Sequence, residues 1–284
     1  MPGLLILLIV LSLNFSKAQN VSFTGEFKQS NLIIGYAADL DYAKLDGIKL
    51  LSDNGYFVFG FDRDSPLIHY LTVKLKNGKS IVKKIELAKR RYKIQRINRM
   101  KKKFVTPPPK ELARIKREGK ILKRARSKIG VNASAYYLSG FIRPVKSGRI
   151  TSVFGSQRIL NGVPKNPHNG LDIAAPTGTP VYATADGIVR LTGKNFFYNG
   201  NFVLLDHGQG LSSIYLHLSK IDVKGGKYVH KGEKIGEIGT TGRSTGPHLH
   251  WGVNWYGKRI DPASLLKLDL KHVRSIGNKL SSTN

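Results

Sequence analysis

The stretch from Gly246 to Val253, GPHLHWGV, sets two histidines one residue apart in an otherwise apolar run. Side chains on a strand alternate between its faces, so His248 and His250 share one face, roughly 6–7 Å apart along the strand. Two readings are open: ordinary strand residues with hydrogen-bonded rings, or a pair converging on a metal. A second pattern lies upstream in His168-x-x-x-Asp172, which can put an imidazole and a carboxylate on one side of an extended segment. Alone this spacing is weak, because most His and Asp pairs so placed bind nothing. The chain contains no cysteine. Disulfides and thiolate metal sites are therefore excluded, and any metal must be held by His, Asp or Glu. A carboxylate with imidazoles suits zinc. Three such ligands leave a position for water, whereas a closed structural site would take a fourth, here necessarily another histidine.

These residues stand in company. Thr151-Ser152-Val153-Phe154-Gly155 precedes the H-x-x-x-D, Ala175 to Val181 (APTGTPV) follows it, and Tyr215-Leu216-His217-Leu218 precedes the H-x-H. In that order, over roughly Phe141 to Leu266, the chain resembles the lysostaphin and LytM-type zinc metallopeptidases of the M23 peptidase family. The resemblance implies that His168, Asp172 and His250 bind one zinc ion per chain. It also implies that His217 and His248 are catalytic residues that do not touch the metal. The implied chemistry is peptide-bond hydrolysis by zinc-activated water, with the two free histidines handling protons and the oxyanion jointly. The implied substrate is peptidoglycan, in its stem peptides or cross-links. Resemblance to exported Gram-negative members and the lack of a wall-targeting repeat favour the D-alanyl to diaminopimelate cross-link over glycine bridges. Some members of the family have lost ligands and only bind; a non-enzymatic peptidoglycan-binding regulator of another hydrolase is thus the alternative, and the complete ligand set argues against it.

The other histidines carry plainer readings. His207 closes a strand before a glycine turn and reads as structural, while His69, His230 and His272 read as surface or packing residues. Trp251 and Trp255 read as core or groove wall. Thr240 to Gly246 looks like a phosphate-cradling loop but lacks the strand and helix framing, and is expected to be a groove loop.

The elements that must position these groups can be read from the whole chain of 284 residues, 40% of them apolar, enough for two modest domains. Residues 1–18 resemble a secretory signal peptide: the apolar run Leu4 to Leu13 is short for a membrane span, and small residues frame cleavage after Ala18. With no Lys or Arg before that run, an uncleaved anchor is the alternative. Residues 19–88 alternate short β-rich runs with turns at Asp53-Asn54-Gly55 and Asn77-Gly78, as in a small β-sandwich. Residues 89–139 form a basic connector whose helix is expected from Lys110 to Ile129, with an apolar stripe of Leu112, Ile115, Ile121 and Leu122. Residues 140–268 read as an all-β metallopeptidase domain of antiparallel sheet, and 269–284 as a tail. The fold class is thus mainly β.

The formal net charge is +29. Lys83 to Lys128 holds 20 Lys and Arg against 3 Glu. Such a run is a solvated helix face or the footprint of a polyanion. For an exported protein, in the periplasm or cell envelope, anionic envelope surfaces are the expected partner and a specific nucleic acid is not, with no membrane span after signal cleavage.

Overall fold

The computed structural model describes residues 21–271 and 273. The expected signal segment of residues 1–18, His272 and most of the expected 269–284 tail lie outside the described residues. The fold is mainly β, as expected, and its sheets are antiparallel except where Ile94–Ile97 runs parallel to Gln157–Leu160.

The amino-terminal part is a sandwich of two four-stranded sheets. One contains Ser22–Thr24, Leu32–Tyr36, Tyr56–Gly60 and Ser52–Asp53; the other contains Ile48–Lys49, Leu40–Leu45, Ile68–Leu75 and Ser80–Glu86. Asn54 and Gly55 both have positive φ, 48° and 81°, and close a two-residue hairpin loop between Asp53 and Tyr56. That is the turn whose twist matches paired strands. In Ile68–Leu75 burial alternates, with His69, Leu71, Val73 and Leu75 inward. His69 is held there by Asp46 and by the Pro66 carbonyl, at 2.7 and 2.9 Å. Leu32–Tyr36 does not alternate: all five residues are buried. Strands buried throughout are covered on both faces, and here the second cover is the carboxy-terminal part. A side-chain carbon at Gly60 would lie 2.6 Å from Ile260 Cδ1. One continuous apolar cluster accordingly joins Leu32, Phe57 and Phe59 to Leu171, Trp251 and Ile260.

The basic segment folds as strand, short helix and long helix. The long helix runs Pro109–Arg126, with proline at its first turn, where a missing N–H costs nothing. It stops short of Ile129, and its apolar stripe is only partly used, since Leu112 and Ile121 are 53% and 41% exposed. Only its last turns lie on the sheet, where Leu122 and Ala125 pack on Ile129, Phe202, Leu204 and Ile214. Its first half is fastened by polar contacts. Arg114 bonds Glu111, Glu118 and the Asn195 carbonyl, and Glu118 accepts the Phe197 N–H at 2.8 Å.

In the main carboxy-terminal sheet the neighbours run Arg149–Ser152, Leu171–Ala174, His248–Trp255, Leu211–Ile221, Gly200–Asp206, Gly187–Phe196 and Tyr228–Val229. Leu249, Trp251, Val253 and Trp255 point into the core and are at most 4% exposed, so both tryptophans are core residues. The alternate residues, His248 and His250, face the other side. His207 is buried between the Asp186 carbonyl and Ser213, as a structural residue would be. A single helical turn, Pro262–Leu265, capped by Asp261, follows the last strand.

The shared core predicts one melting transition for both parts. Both tryptophans lie in the carboxy-terminal sheet, so their fluorescence reports that part alone. Gly60→Val, in the sandwich, should lower the midpoint seen by tryptophan fluorescence, with a loss of about 1–3 kcal/mol from overpacking against Ile260. An unchanged tryptophan midpoint, or two separate transitions in the unaltered protein, would contradict it.

Candidate metal centre

His168, Asp172 and His250 meet because of strand register. Asp172 lies directly opposite His250 in the antiparallel pair, and directly opposed residues share a face. His168 precedes the strand and is folded back onto Asp172. Gly170, between them, makes room: a Cβ there would lie 2.5 Å from the Trp251 carbonyl and 2.6 Å from His250 Nε2. His168 Nε2 lies 2.9 Å from Asp172 Oδ1 and 3.0 Å from His250 Nδ1, and His250 Nδ1 lies 2.8 Å from Asp172 Oδ1. All three residues are shielded, His168 almost completely.

The donor set fits a cation. His168 Nδ1 faces the Val153 carbonyl at 3.0 Å and Ser152 Oγ at 2.9 Å. The Ser152 hydroxyl itself donates to Gln95 Oε1 at 2.7 Å, so the His168 proton belongs on Nδ1. The Nε2 lone pair then points at a carboxylate oxygen and a second ring nitrogen, three acceptors within 3.0 Å of one another. A positive ion at their meeting point satisfies all three, and two imidazoles with one carboxylate are zinc ligands. Arg158 donates to the other oxygen of Asp172 at 2.7 Å and holds the carboxylate in place.

His217 and His248 stand beside this cluster. Their ring centroids are 4.8 Å apart, and His217 is 6.3 Å from His250. Each ring donates Nδ1–H to a backbone carbonyl, His217 to Thr241 at 2.8 Å and His248 to Gly246 at 2.8 Å. That leaves Nε2 of each neutral ring with a free lone pair. His217 reaches the site by an irregularity. Leu216 is the residue opposed to His250, so in a regular strand its neighbour would point into the core. His217 instead has φ 67°, and the register slips next to it, which turns its ring to the His250 face.

The cluster lines a groove of about 1050 Å³. The Thr240 to Gly246 loop is part of its wall, through Arg243 and Ser244, as expected of a groove loop. Gln95, Ile97 and Met100 of the basic segment and Leu122 and Arg126 of the long helix also line it. Sequence reading did not anticipate Gln95, Arg158 or these wall residues. Arg158 lies fourteen residues before Asp172, a spacing with no periodic meaning, and Gln95 acts across a parallel strand pair that no local pattern announces.

Burial pushes His217 down to about 3, reinforced by the charges of His248 and His250. Burial likewise takes His250 to about 4. For Asp172 burial works the other way, yet its contacts with the His168 and His250 rings hold the carboxyl well below the usual range. Neutral imidazoles and an ionised carboxylate are the forms that bind metal.

The profile of peptidase family M23 matches residues 166–262, which include all five residues above. The chain is 45% identical over 133 residues to peptidoglycan DD-endopeptidase ShyA of Vibrio cholerae serotype O1, covering 46% of this chain and 30% of that protein. It is 42% identical over 124 residues to DD-carboxypeptidase/endopeptidase Mpg of Neisseria meningitidis serogroup B, covering 44% and 28%. The chain thus spans about a third of the length of the curated relatives it matches. A crystal structure of a peptidase M23 from Pseudomonas aeruginosa aligns with TM-score 0.63 at 30% identity, covering 85% of this chain and 96% of that one.

The lowered histidines set a pH dependence for the metal-free protein. Free histidine titrates near 6.5, so below that pH the unfolded chain takes up protons that folded His217 and His250 refuse. Stability is then lost as pH falls. Asp172 acts in the same direction at lower pH, because its depressed carboxyl stabilises only while ionised. The Tm of protein stripped with EDTA should therefore fall from pH 7 to pH 4.5; a flat or rising Tm would contradict these environments.

Proposed function

The chain belongs to peptidase family M23, and from that premise we propose that it is an exported zinc metalloendopeptidase hydrolysing peptide bonds in peptidoglycan stem peptides or cross-links. The observation that carries this reading is the convergence of His168 Nε2, Asp172 Oδ1 and His250 Nδ1 within 3.0 Å, with two non-ligand imidazoles alongside. His168, Asp172 and His250 would hold one zinc ion. When bound, zinc supplies Lewis acidity and a hydrolytic water ionised near neutral pH. No Ser or Cys nucleophile is required of the chain.

The remaining work falls to His217 and His248. Their Nε2 atoms, unprotonated in the neutral rings, accept a proton from the attacking water and return it to the leaving amine, or hold a hydrogen bond to the developing oxyanion. Their Nδ1 carbonyl anchors at Thr241 and Gly246 keep both rings in the required tautomer. The groove walls exclude bulk water from one side and orient an extended chain along the His248–Trp255 strand. Export to the periplasm or cell envelope belongs to the same reading, since peptidoglycan lies there. Among the described residues no helix is long and apolar enough to cross a membrane. The exposed Lys and Arg of the Pro109–Arg126 helix would add attraction to anionic envelope surfaces by long-range charge. Similarity to the DD-endopeptidase relatives favours the D-alanyl to diaminopimelate bond.

Zinc content and turnover on purified peptidoglycan, measured on the same preparations, test the assignment. Asp172→Ala and His250→Ala should lose zinc and activity together. His248→Ala should keep stoichiometric zinc while hydrolysis slows by about 10² to 10⁴-fold, the usual size of a general acid or base contribution. Loss of zinc from a folded His248→Ala protein would make His248 a ligand. A zinc-loaded protein that binds peptidoglycan without releasing peptides would be a regulator and not an enzyme.

A further inference from the structure

Away from the metal cluster, the groove contains two guanidinium groups without acidic partners. Arg126 comes from the last turn of the long helix and Arg259 from the short strand Lys258–Ile260, and both line the groove that holds His168, Asp172 and His250. Their neighbourhood follows from register. Asn254 is opposed to Ser212 on one side and to Arg259 on the other. Asn254 is four residues beyond His250 on the same strand, hence on the same face and about 13 Å along it. Arg126 reaches over this row from above, lining the hollow that includes Ser212 and Asn254.

Neither guanidinium is neutralised. Among the described residues no carboxylate lies within ion-pair distance of Arg126 or Arg259, whereas Arg63, Arg90, Arg114, Arg158 and Arg190 all have acidic partners. The Nε of Arg126 is buried with no hydrogen-bond partner. Burial, reinforced by the like charge of Arg259, depresses Arg126 to about 10. Asp62 is the acid that Arg259 senses, from beyond ion-pair distance. Two half-buried cations held close together with unused donors are unfavourable unless an anion joins them. Planar guanidinium forks match a carboxylate's two oxygens.

We propose that Arg126 and Arg259 form a carboxylate-binding subsite of the groove, which takes a free carboxylate of the peptide substrate about four extended residues from the scissile bond. The inference rests on the endopeptidase reading for the identity of the ligand. Stem peptides of peptidoglycan carry free side-chain and α-carboxylates, so the subsite would discriminate stems with free carboxylates from stems whose carboxylates are amidated. Since Arg126 belongs to the basic connector, the connector would then contribute to substrate choice besides walling the groove. The roles of the metal-end arginines are separate: Arg158 is committed to Asp172, and Arg243 sits over the Tyr198 ring.

The test compares a purified cross-linked muropeptide with free carboxylates and the same molecule after carboxylate amidation. Binding is measured by calorimetry to zinc-free protein, so it does not depend on turnover, and hydrolysis is followed separately on zinc-loaded protein. Wild type should bind the free acid more tightly, and Arg126→Gln and Arg259→Gln should each weaken that binding by about 10 to 100-fold, the size of a lost charge-assisted hydrogen bond. Binding of the amidated form should be unchanged, and Arg259→Lys should retain part of the preference. In hydrolysis the Gln variants should raise KM for the free acid with little change in kcat. Their Tm should equal or exceed that of wild type, because a like-charge contact is removed. Equal binding of both muropeptides by wild type, or variants that weaken both equally, would overturn the subsite. Preferential binding of the free acid without any hydrolysis would leave the subsite standing and overturn the endopeptidase reading instead.

Discussion

The register between Leu171–Ala174 and His248–Trp255 is the constraint on which the rest of the site depends. Asp172 opposite His250 places a carboxylate oxygen and a ring nitrogen 2.8 Å apart, and the opposite faces of both strands carry Ile173, Leu249 and Trp251 into the core. A slip of one residue would send Asp172 inward and an apolar side chain outward. The same burial that fixes the register therefore fixes the donors. Desolvation then keeps His250 neutral, while the contacts with His168 and His250 keep Asp172 ionised and Arg158 holds its other oxygen.

His217 shows what the register alone does not provide. Regular alternation would deliver Leu216 to the site and bury His217, and a non-glycine residue at φ 67° is a strained conformation, costing of order 1–3 kcal/mol. The strain is tolerated because the ring gains a carbonyl acceptor at Thr241 and the neighbouring strands hold the irregularity on both sides. In return the site acquires a further imidazole, 4.8 Å from His248, beside the cluster of His168, Asp172 and His250.

The legible part of this protein is the part written in short-range pattern. Alternation placed His248 and His250 on one face, the turn residues at Asp53-Asn54-Gly55 marked a hairpin, and motif order brought His168, Asp172 and His217 to the same site. What sequence did not disclose depends on contacts between distant segments. The apolar run Leu32–Tyr36 reads as a strand, but its coverage on both faces follows from Ile260 packing at Gly60. The Pro109–Arg126 helix is legible as a helix, but the use of its apolar stripe is not: Leu122 packs on the sheet while Leu112 and Ile121 are exposed, and the first half is fastened by the ion pairs of Arg114 with Glu111 and Glu118. Gln95 and Arg126, in a segment that reads only as basic, turn out to line the groove.

The central claim is that two imidazoles and one carboxylate, and no third imidazole, hold the metal. An anomalous difference map at the zinc edge from crystals of the zinc-loaded protein tests it most directly. The account predicts a single peak bonded to His168 Nε2, Asp172 Oδ1 and His250 Nδ1 at about 2.0–2.2 Å, with Nε2 of His217 and of His248 outside bonding distance. A peak coordinated by His217 or His248, or by His250 through Nε2, would contradict it.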